Sequence, residues 1–450
     1  MSTPFRLSEK HFKARSDPSP CGRKKSSNRR PKTIFRPSLE DVFDPRRLLD
    51  STRHQPGDLD QAGWTEARRE DVECVSVGKG KVDAWAVVGM PGLVILPGYF
   101  SPERQRLLVK SCLQIHTQPP NKTNLDTHFH LPPSPLFPSS PLSDDGCKTP
   151  SSSLWSLYTS SLHSHPPEDP LVPTRASSLE DDSSSEEGSK QKFVRIPPTR
   201  TLIENLPGED FLNTVASDGK REILPVEPSK TVRPKPISKL IRELRWTNIG
   251  LFYDWTSKSY DFDTPIPFPD DIDMISRQIV SKDIDWSLVY GSLGVDGTPS
   301  SKDENGMELE RVKWEQWNDY KPDAGIINFY QPDDTLMAHV DRSELDAHRP
   351  LVSVSLGLSA VFLLGTSSRD TPPLPILLRS GDVVVLSGHG RRAYHGVPRI
   401  LDDTLPAHLK PSLPEDQVSP SWDEDLGRYM ETTRININAR QVFPPGFKRP

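Results

Sequence analysis

Two histidines and one aspartate near the end of this chain are residue types that can hold a redox-active metal. His339 and Asp341 are separated by one residue, and His395 follows further along the chain. Two imidazoles and one carboxylate on one side of an iron leave the opposite positions open for oxygen and a co-substrate. Arg434, nearer the end, carries a guanidinium that can hold a dicarboxylate against the same metal. If these four side chains converge, they form an iron centre with an anchored acidic co-substrate.

The spacing of His339 and Asp341 is by itself a weak signal. A chain with 12 histidines contains about one His-x-Asp triplet by chance. Residues two apart on a strand point to the same face, so His339 and Asp341 would share one face, as would Asn328 and Tyr330. The alternative is a buried core histidine followed by an aspartate that caps a turn.

Two histidines compete for the place of the third ligand. His389 lies between Gly388 and Gly390, which is typical of a turn. His395 follows a tyrosine and precedes a Gly-Val-Pro run, where a strand enters a loop. We therefore favour His395. The Gly-Asp pair at 381–382 is typical of a hairpin rather than of metal binding.

The last predicted strand has a strictly alternating pattern. Arg434, Asn436, Asn438 and Arg440 fall on one face, and apolar residues fall on the other. The polar face is either exposed to solvent or, in a closed barrel, turned inward. Buried charges need partners, and a bound dicarboxylate supplies one.

The elements that must position these residues are mostly short strands. They are predicted at 326–330, 351–358, 360–364, 382–386 and 433–442. Many short strands separated by turn residues are typical of a sandwich or barrel. The sequence therefore predicts a mainly β fold with flanking helices.

The part of the chain before this β-rich region predicts further elements. Strands are predicted at 82–88, 92–96 and 248–255, and a helical segment at 238–246. Another helix begins at Ser101 and Pro102, which provide an N-cap and a first-turn proline. It is expected to bury Leu107, Leu108 and Leu113.

Composition divides the chain into folded and unfolded parts. Only 34% of the residues are apolar and 47 are prolines, so much of the length lacks the apolar surface needed to offset its ordering entropy. The predicted segments are a basic disordered tail (1–37), a substrate-recognition extension (38–131), a disordered Pro/Ser-rich insertion (132–197), a substrate-binding lid with the first core strands (198–319) and a catalytic core (320–450). Within the insertion, Trp155 and Tyr158 could form a short docking element.

Charge and cysteine content indicate an intracellular protein. The net charge of −6 is mild, but the first 37 residues are rich in Lys and Arg. That start fits a mitochondrial presequence, a nuclear import patch, a phosphate-contacting arm or a solvated tail. The four cysteines are scattered, which is typical of a reduced compartment. No stretch reaches the roughly twenty apolar residues that span a bilayer. We expect a monomer in the nucleus, the cytoplasm or the mitochondrion, with no membrane partner.

At this point the residues show a specific resemblance. About half of the chain resembles the AlkB family of iron(II)/2-oxoglutarate dioxygenases, and within it the eukaryotic homologue-one type. The match is carried by Ala-Gly-Ile-Ile-Asn-Phe-Tyr at 324–330, Met-Ala-His-Val-Asp-Arg-Ser-Glu-Leu at 337–345, Leu-Gly at 364–365, Ser-Gly-Asp at 380–382, Arg391, His-Gly-Val-Pro-Arg at 395–399, the segment 434–442, and three pieces outside the core at 120–126, 244–246 and 250–255. The resemblance implies a double-stranded β-helix, or jelly-roll, core.

The resemblance also implies a role for individual residues. The iron ligands are His339, Asp341 and His395. The residues that bind 2-oxoglutarate are Arg434, Asn328, Tyr330, Asn436 and Arg440. The residues near the substrate base are Glu344 and Arg391, with Trp246, Tyr253 and Trp255 as candidates for the wall of its pocket. For the three aromatic residues, ordinary core packing is the alternative.

The implied reaction is oxidative demethylation of an N-methylated base. Iron(II), 2-oxoglutarate and oxygen would be required, and formaldehyde, succinate and carbon dioxide would be released. Methylated adenine in tRNA is the favoured substrate, and methylated DNA, which would make the reaction one of DNA repair, is the second. A protein hydroxylase or demethylase with the same iron site is the alternative. A non-catalytic binding module would be expected to lack a ligand or Arg434, and none is missing.

Overall fold

The computed structural model describes residues 2–13, 35–49, 58–134, 153–176, 228–254, 259–261, 264, 266–290, 312–341, 344–346, 348–411, 422–444 and 446–447. The strands are β1 (Cys74–Ser76), β2 (Trp85–Val87), β3 (Leu93–Leu96), β4 (Leu171–Val172), β5 (Lys235–Pro236), β6 (Trp246–Gly250), β7 (Tyr253–Asp254), β8 (Ser259–Tyr260), β9 (Ala324–Tyr330), β10 (Leu336–His339), β11 (Leu351–Gly357), β12 (Ala360–Leu364), β13 (Leu374–Leu378), β14 (Val383–Leu386), β15 (His395–Ile400) and β16 (Arg434–Arg440). The helices are α1 (Pro4–Phe12), α2 (Asp58–Gln61), α3 (Pro102–Gln114), α4 (Leu154–His163), α5 (Ile237–Leu240), α6 (Asp270–Arg277), α7 (Trp286–Tyr290) and α8 (Glu424–Met430).

Two antiparallel sheets form the centre of the fold. The larger has the order β1-β2-β3-β14-β11-β16-β9-β6, and the smaller has the order β10-β15-β12-β13. From β9 to β16 the chain crosses between the sheets at every step except from β12 to β13, so it builds both sheets together, as in a jelly roll. The predicted mainly β core with flanking helices is confirmed.

The N-terminal part of the chain contributes directly to the larger sheet. Strand β3 pairs with β14, and β2 pairs with β3. Helix α3 begins where the sequence predicts, because the Ser101 side chain accepts a hydrogen bond from the Arg104 N–H. Leu108 and Leu113 are buried as expected, but Leu107 is 39% exposed. The prediction for Leu107 is wrong because the buried face of α3 includes Leu108 and Leu113 but not Leu107.

One part of the predicted disordered insertion is ordered. Residues 153–176 contain α4 and β4, and β4 pairs with β5. Ser153 and Ser156 form a capping box at the start of α4. The rings of Trp155 and Tyr158 pack against Tyr429, with a centroid distance of 5.5 Å for the Trp155–Tyr429 pair. The predicted docking element therefore exists, and the prediction of disorder is wrong for these residues.

The first residues of the predicted basic tail are also ordered. Helix α1 begins after Thr3, whose hydroxyl accepts a hydrogen bond from the Arg6 N–H, with Pro4 in its first turn. Phe5 and Phe12 are buried against the outer face of the smaller sheet. The rest of the tail, residues 14–34, lies outside the described residues. None of the described helices is both long and apolar enough to cross a bilayer.

A buried aspartate joins the N-terminal segment to the core. Asp382 follows Gly381, whose φ of 89° favours glycine, in the turn before β14. Its carboxylate accepts hydrogen bonds from Arg46 Nε at 3.0 Å, from the Gly98 N–H at 2.8 Å and from the Arg379 N–H at 2.7 Å. The Gly-Asp pair forms a turn, but the prediction of a hairpin is wrong, because β13 and β14 lie in different sheets and do not pair.

Replacing this aspartate is expected to destabilise the whole fold. Asp382→Ala leaves several donors without an acceptor, one of them charged, so the free energy of unfolding should fall by roughly 2–4 kcal/mol. Urea denaturation followed by circular dichroism measures the change. Asp370→Ala, on an exposed loop, is the control and should stay within about 0.5 kcal/mol of the parent. Equal midpoints for the two variants would contradict the prediction.

Candidate metal centre and co-substrate pocket

The pairing of β10 with β15 sets two histidines side by side. His339 lies directly opposite His395 across the ladder, and the pairing register shifts between Leu336 and His339. The two imidazole centroids are 4.4 Å apart. Histidines far apart in the sequence therefore become neighbours at the end of an antiparallel pair.

Both imidazoles are oriented in the same way by the backbone. His339 Nδ1 lies 2.9 Å from the carbonyl oxygen of Met337, and His395 Nδ1 lies 3.1 Å from that of Ala393. A ring whose Nδ1–H donates to a carbonyl keeps its Nε2 lone pair for a metal. Each ligand candidate thus has its ring orientation fixed by the carbonyl two residues before it.

Asp341 completes a compact group of three possible ligands. One ligand atom from each of His339, Asp341 and His395 lies within 4.8 Å of the other two. Burial acts to raise the pKa of the Asp341 carboxyl, but Arg440 and the two imidazoles lower it well below its usual range. Burial, reinforced by His339, lowers the pKa of His395 to about 4. At neutral pH the group therefore offers a carboxylate and a neutral imidazole, which are metal-binding forms.

The competing histidine lies elsewhere. His389 belongs to the short helical turn Gly388–Arg392, and its ring lies 5.9 Å from that of His348. The structure therefore brings His395, and not His389, to His339 and Asp341.

Arg434 is a buried cation that lacks an acidic partner among the described residues. Its Nη1 donates to the carbonyl oxygens of Leu358 at 3.0 Å and Leu378 at 3.4 Å, and its Nη2 donates to Ser355 Oγ at 2.7 Å. Its Nε has no hydrogen-bond partner. Burial lowers the pKa of Arg434 to about 10, although Tyr330 and Asp382 favour its charged form. A buried guanidinium with a free donor fits a carboxylate ligand.

The polar face of β16 is turned inward, toward the smaller sheet. Asn436 Nδ2 donates to Ser353 Oγ at 2.9 Å, and Asn438 Nδ2 donates to Asn436 Oδ1 at 2.8 Å. Across the β9 ladder, Tyr330 lies opposite Arg434, and Asn328 lies opposite Asn436. A cavity of about 720 Å³, measured to include its mouth, lies between the sheets and is lined by residues that include Asn328, Tyr330, His339, Asp341, His395, Arg434, Asn436, Asn438 and Arg440.

At the metal end of β16, Arg440 binds two acids. Its Nη1 lies 3.1 Å from Asp341 Oδ2 and 2.8 Å from Glu344 Oε1. Glu344 also accepts a hydrogen bond from the Tyr260 hydroxyl at 3.1 Å, and its other oxygen lies 3.4 Å from Arg391 Nη2. Glu344 and Arg391 are fully buried behind Arg440 and do not line the cavity. In this structure Glu344 holds Arg440, and through it Asp341, while Arg391 lies against Glu344.

Two of the three aromatic candidates for the base pocket belong to the described residues, and they differ in burial. Trp246 is half-buried on β6, opposite Asn328. Tyr253 is buried and packs edge-on against Tyr260, with ring centroids 5.1 Å apart, in a small apolar cluster. Trp255 lies outside the described residues. Tyr253 is therefore placed as a packing residue, and Trp246 keeps a partly accessible face.

Some cavity residues were missed by sequence reasoning. Ser353, Ser355 and Phe362 support or line the cavity from β11 and β12. The alternation of β11 between serines and apolar residues was visible, because Ser353 and Ser355 share one face. Nothing in the sequence indicated that this face pairs with the polar face of β16.

The donor set fits iron together with a dicarboxylate. Two neutral imidazoles and one carboxylate are the ligands expected of a non-haem iron(II) site with open positions. Arg434 lines the same cavity and has an unsatisfied donor at Nε, so its guanidinium suits the far end of an acidic co-substrate.

Comparisons with known proteins agree with this geometry. Residues 210–440 match the family described as the 2OG-Fe(II) oxygenase superfamily, which is just over half of the chain. The mouse protein named "Nucleic acid dioxygenase ALKBH1" is 29% identical over 400 residues, covering 86% of this chain and 73% of that protein. The fission yeast "tRNA demethylase abh1" is 30% identical, covering 79% and 80%. The Arabidopsis "DNA N(6)-methyladenine demethylase ALKBH1A" is 33% identical, covering 46% and 51%. The resemblance to the homologue-one type is thereby confirmed, and the chain belongs to the 2OG-Fe(II) oxygenase superfamily, whose dioxygenases use iron(II), 2-oxoglutarate and oxygen.

Proposed function

We propose that this enzyme oxidatively demethylates N-methylated bases in nucleic acid, with methyladenine in tRNA as the favoured substrate and methyladenine in DNA as the second. The observation that carries the proposal is the convergence of His339, Asp341 and His395 in a cavity that is also lined by Arg434, whose Nε has no hydrogen-bond partner. The relatives named above as tRNA and DNA demethylases support the substrate class.

We assign the parts of the cavity as follows. His339, Asp341 and His395 hold iron(II), which supplies, with oxygen and 2-oxoglutarate, the oxidising power for the N-methyl group. Arg434 binds the distal carboxylate of 2-oxoglutarate, assisted by Asn328 and Tyr330. Asn436 and Arg440 lie near its metal-bound end.

The residues around the proposed metal site hold these groups in place and keep water away from them. The apolar walls of the cavity exclude water, which strengthens the attraction between Arg434 and a carboxylate. Arg440 keeps Asp341 ionised and fixes one of its oxygens, so the other oxygen is available to the iron. Glu344 holds Arg440 in that position, and Arg391 lies against Glu344.

The base reaches the metal from the open side of the cavity. A base must leave its stack, or be single-stranded, before it can enter such a site and stack on an aromatic side chain. Trp246 is our first candidate for that contact because it is only half-buried and lies next to Asn328. Trp255 stays a candidate, whereas Tyr253 packs against Tyr260 and Glu344 binds Arg440, so we propose no contact of either with the base.

We also propose that the enzyme works as a monomer inside the cell, in the nucleus, the cytoplasm or the mitochondrion. Lys and Arg are frequent near the start of the chain, which suits an import signal or phosphate contacts. Fractionation of cells that express the tagged protein tests the compartment, and light scattering of the purified protein tests the monomer.

The iron assignment predicts different effects for two histidines. His395→Ala should lower bound iron to the background level, because two ligands do not retain the metal. His389→Ala should leave iron content unchanged, because His389 lies apart from the ligand group. Elemental analysis after anaerobic reconstitution and gel filtration measures both. Iron loss in His389→Ala with retention in His395→Ala would overturn the assignment.

The Arg434 assignment predicts a loss of co-substrate affinity. Arg434→Met removes two charge-assisted hydrogen bonds, so the dissociation constant of 2-oxoglutarate should rise roughly 100-fold or more. Calorimetric titration in the presence of Mn(II) measures it, and Arg428→Met on the exposed face of α8 is the control. An unchanged dissociation constant would show that the carboxylate is bound elsewhere.

The substrate assignment predicts a change in nucleoside composition. Incubation of methylated tRNA with iron(II) and 2-oxoglutarate should deplete methyladenine and release formaldehyde, with less turnover on DNA. Mass spectrometry of the digested nucleosides measures both polymers, and His339→Ala is the inactive control. Turnover of methylated peptides with no change in either nucleic acid would favour the alternative, a protein hydroxylase or demethylase.

A further inference from the structure

The strand that carries His339 lies at the edge of its sheet. Among the described strands, β10 has β15 as its single partner. The backbone groups on its other side need partners, since unpaired edge groups cost free energy and leave the strand free to move. These partners come from the beginning of the chain and from the loop after β12.

A buried carboxylate of α1 binds this edge. Glu9 Oε1 accepts a hydrogen bond from the Ala338 N–H at 2.8 Å, and Ala338 directly precedes His339. Glu9 Oε2 accepts one from Arg6 Nη1, also at 2.8 Å. The Glu9 side chain is only 7% exposed. A carboxylate is buried at such a cost only where its bonds hold it.

The other backbone group of Ala338 is bound as well. Arg369 Nη2 donates to the Ala338 carbonyl oxygen at 2.9 Å, and the Arg369 guanidinium lies 4.5 Å from the centre of the Tyr394 ring. The Phe5 N–H in turn donates to the Arg369 carbonyl oxygen at 3.2 Å. Helix α1, the loop of Arg369 and the edge of β10 thus form one connected unit around Ala338.

Helix α1 is fitted to this position. Phe5 and Phe12 are buried on either side of Glu9, on the same face of the helix. Gly365 provides the room, because a Cβ at that position would lie 3.0 Å from the Phe5 ring. The Phe5 ring also contacts Tyr394, next to His395, edge-on at 6.5 Å. Helix α1 therefore contacts Ala338 and Tyr394, the residues that directly precede His339 and His395.

We propose that α1 is a clamp on the metal-binding edge strand, in which Glu9 acts as a positioning residue for His339. The inference rests on the proposed role of His339 as an iron ligand. Its consequence is that the first 13 residues belong to the catalytic unit, so N-terminal processing that removed them would weaken metal retention. A presequence cleaved after α1 would be incompatible with full activity.

Three changes test the clamp. Glu9→Ala should weaken Co(II) binding about tenfold, the low end of the loss found when a group that orients a metal ligand is removed. Removal of residues 2–13 should weaken it at least as much. Glu9→Gln keeps an acceptor for the Ala338 N–H and should stay within about threefold of the parent. Titration of the Co(II) absorption bands measures all three. Glu424→Ala is the matched control, because it removes an acid paired with an arginine on the exposed helix α8.

A second measurement does not depend on the metal. In metal-free protein, hydrogen exchange of the Ala338 amide should rise about tenfold or more in Glu9→Ala and stay unchanged in Glu424→Ala. Slow exchange and parental Co(II) affinity in Glu9→Ala would overturn the clamp, even if the melting temperature falls. Faster exchange with no metal bound by the parent would instead refute the iron site and leave the contact of α1 intact.

Discussion

The inward-facing polar side of β16 is the feature on which the rest of the site depends. Its alternation places Arg434 and Arg440 between two sheets, in a cavity whose other lining residues are partly apolar and partly polar. Burying two guanidiniums there is costly unless negative charge comes with them. Among the described residues, acids pair with Arg440 and none pairs with Arg434, for which we propose a carboxylate of the ligand.

Because the two arginines differ in their acidic partners, the two ends of the cavity differ in charge. Arg440 is neutralised by Asp341 and Glu344, at the end where the imidazoles converge. Among the described residues, the hydrogen-bond partners of Arg434 are backbone carbonyls and a serine hydroxyl. In the proposed binding mode, the far end of a dicarboxylate lies at Arg434 and its other end points to His339, Asp341 and His395. The histidines come from the smaller sheet and the arginines from the larger sheet. The distance between Arg434 and the histidines across the two sheets therefore sets the length of dicarboxylate that we expect to fit.

Much of this could be predicted from the sequence, since alternation and turn residues act locally. The strands around 326–330, 351–358 and 433–442 were expected, and so was the inward face of the last one as one of two alternatives. Leu107 was misplaced because a cluster of leucines does not define which helix face is buried. The network that buries Glu344 and Arg391 could not be seen, because it depends on contacts between distant strands.

The helices α1 and α4 were missed for a related reason. Both lie in segments whose overall composition predicts disorder, and short helices are stable only through tertiary contacts. The local signals were present: Thr3 and Pro4 repeat the start recognised at Ser101 and Pro102. Phe5 and Phe12 lie on the buried face of α1, but the residue between them on that face is Glu9. Because Glu9 is charged, the three residues do not form an apolar pattern in the sequence. A charged residue with a specific backbone partner is the kind of contact that only the folded chain reveals.

The metal site can be located by anomalous diffraction at the manganese absorption edge, from crystals grown with Mn(II) and 2-oxoglutarate. We expect a single strong anomalous peak at bonding distance from Nε2 of His339, Nε2 of His395 and a carboxylate oxygen of Asp341, with the distal carboxylate of 2-oxoglutarate on Arg434. A peak at other residues, or a co-substrate bound away from Arg434, would contradict this expectation.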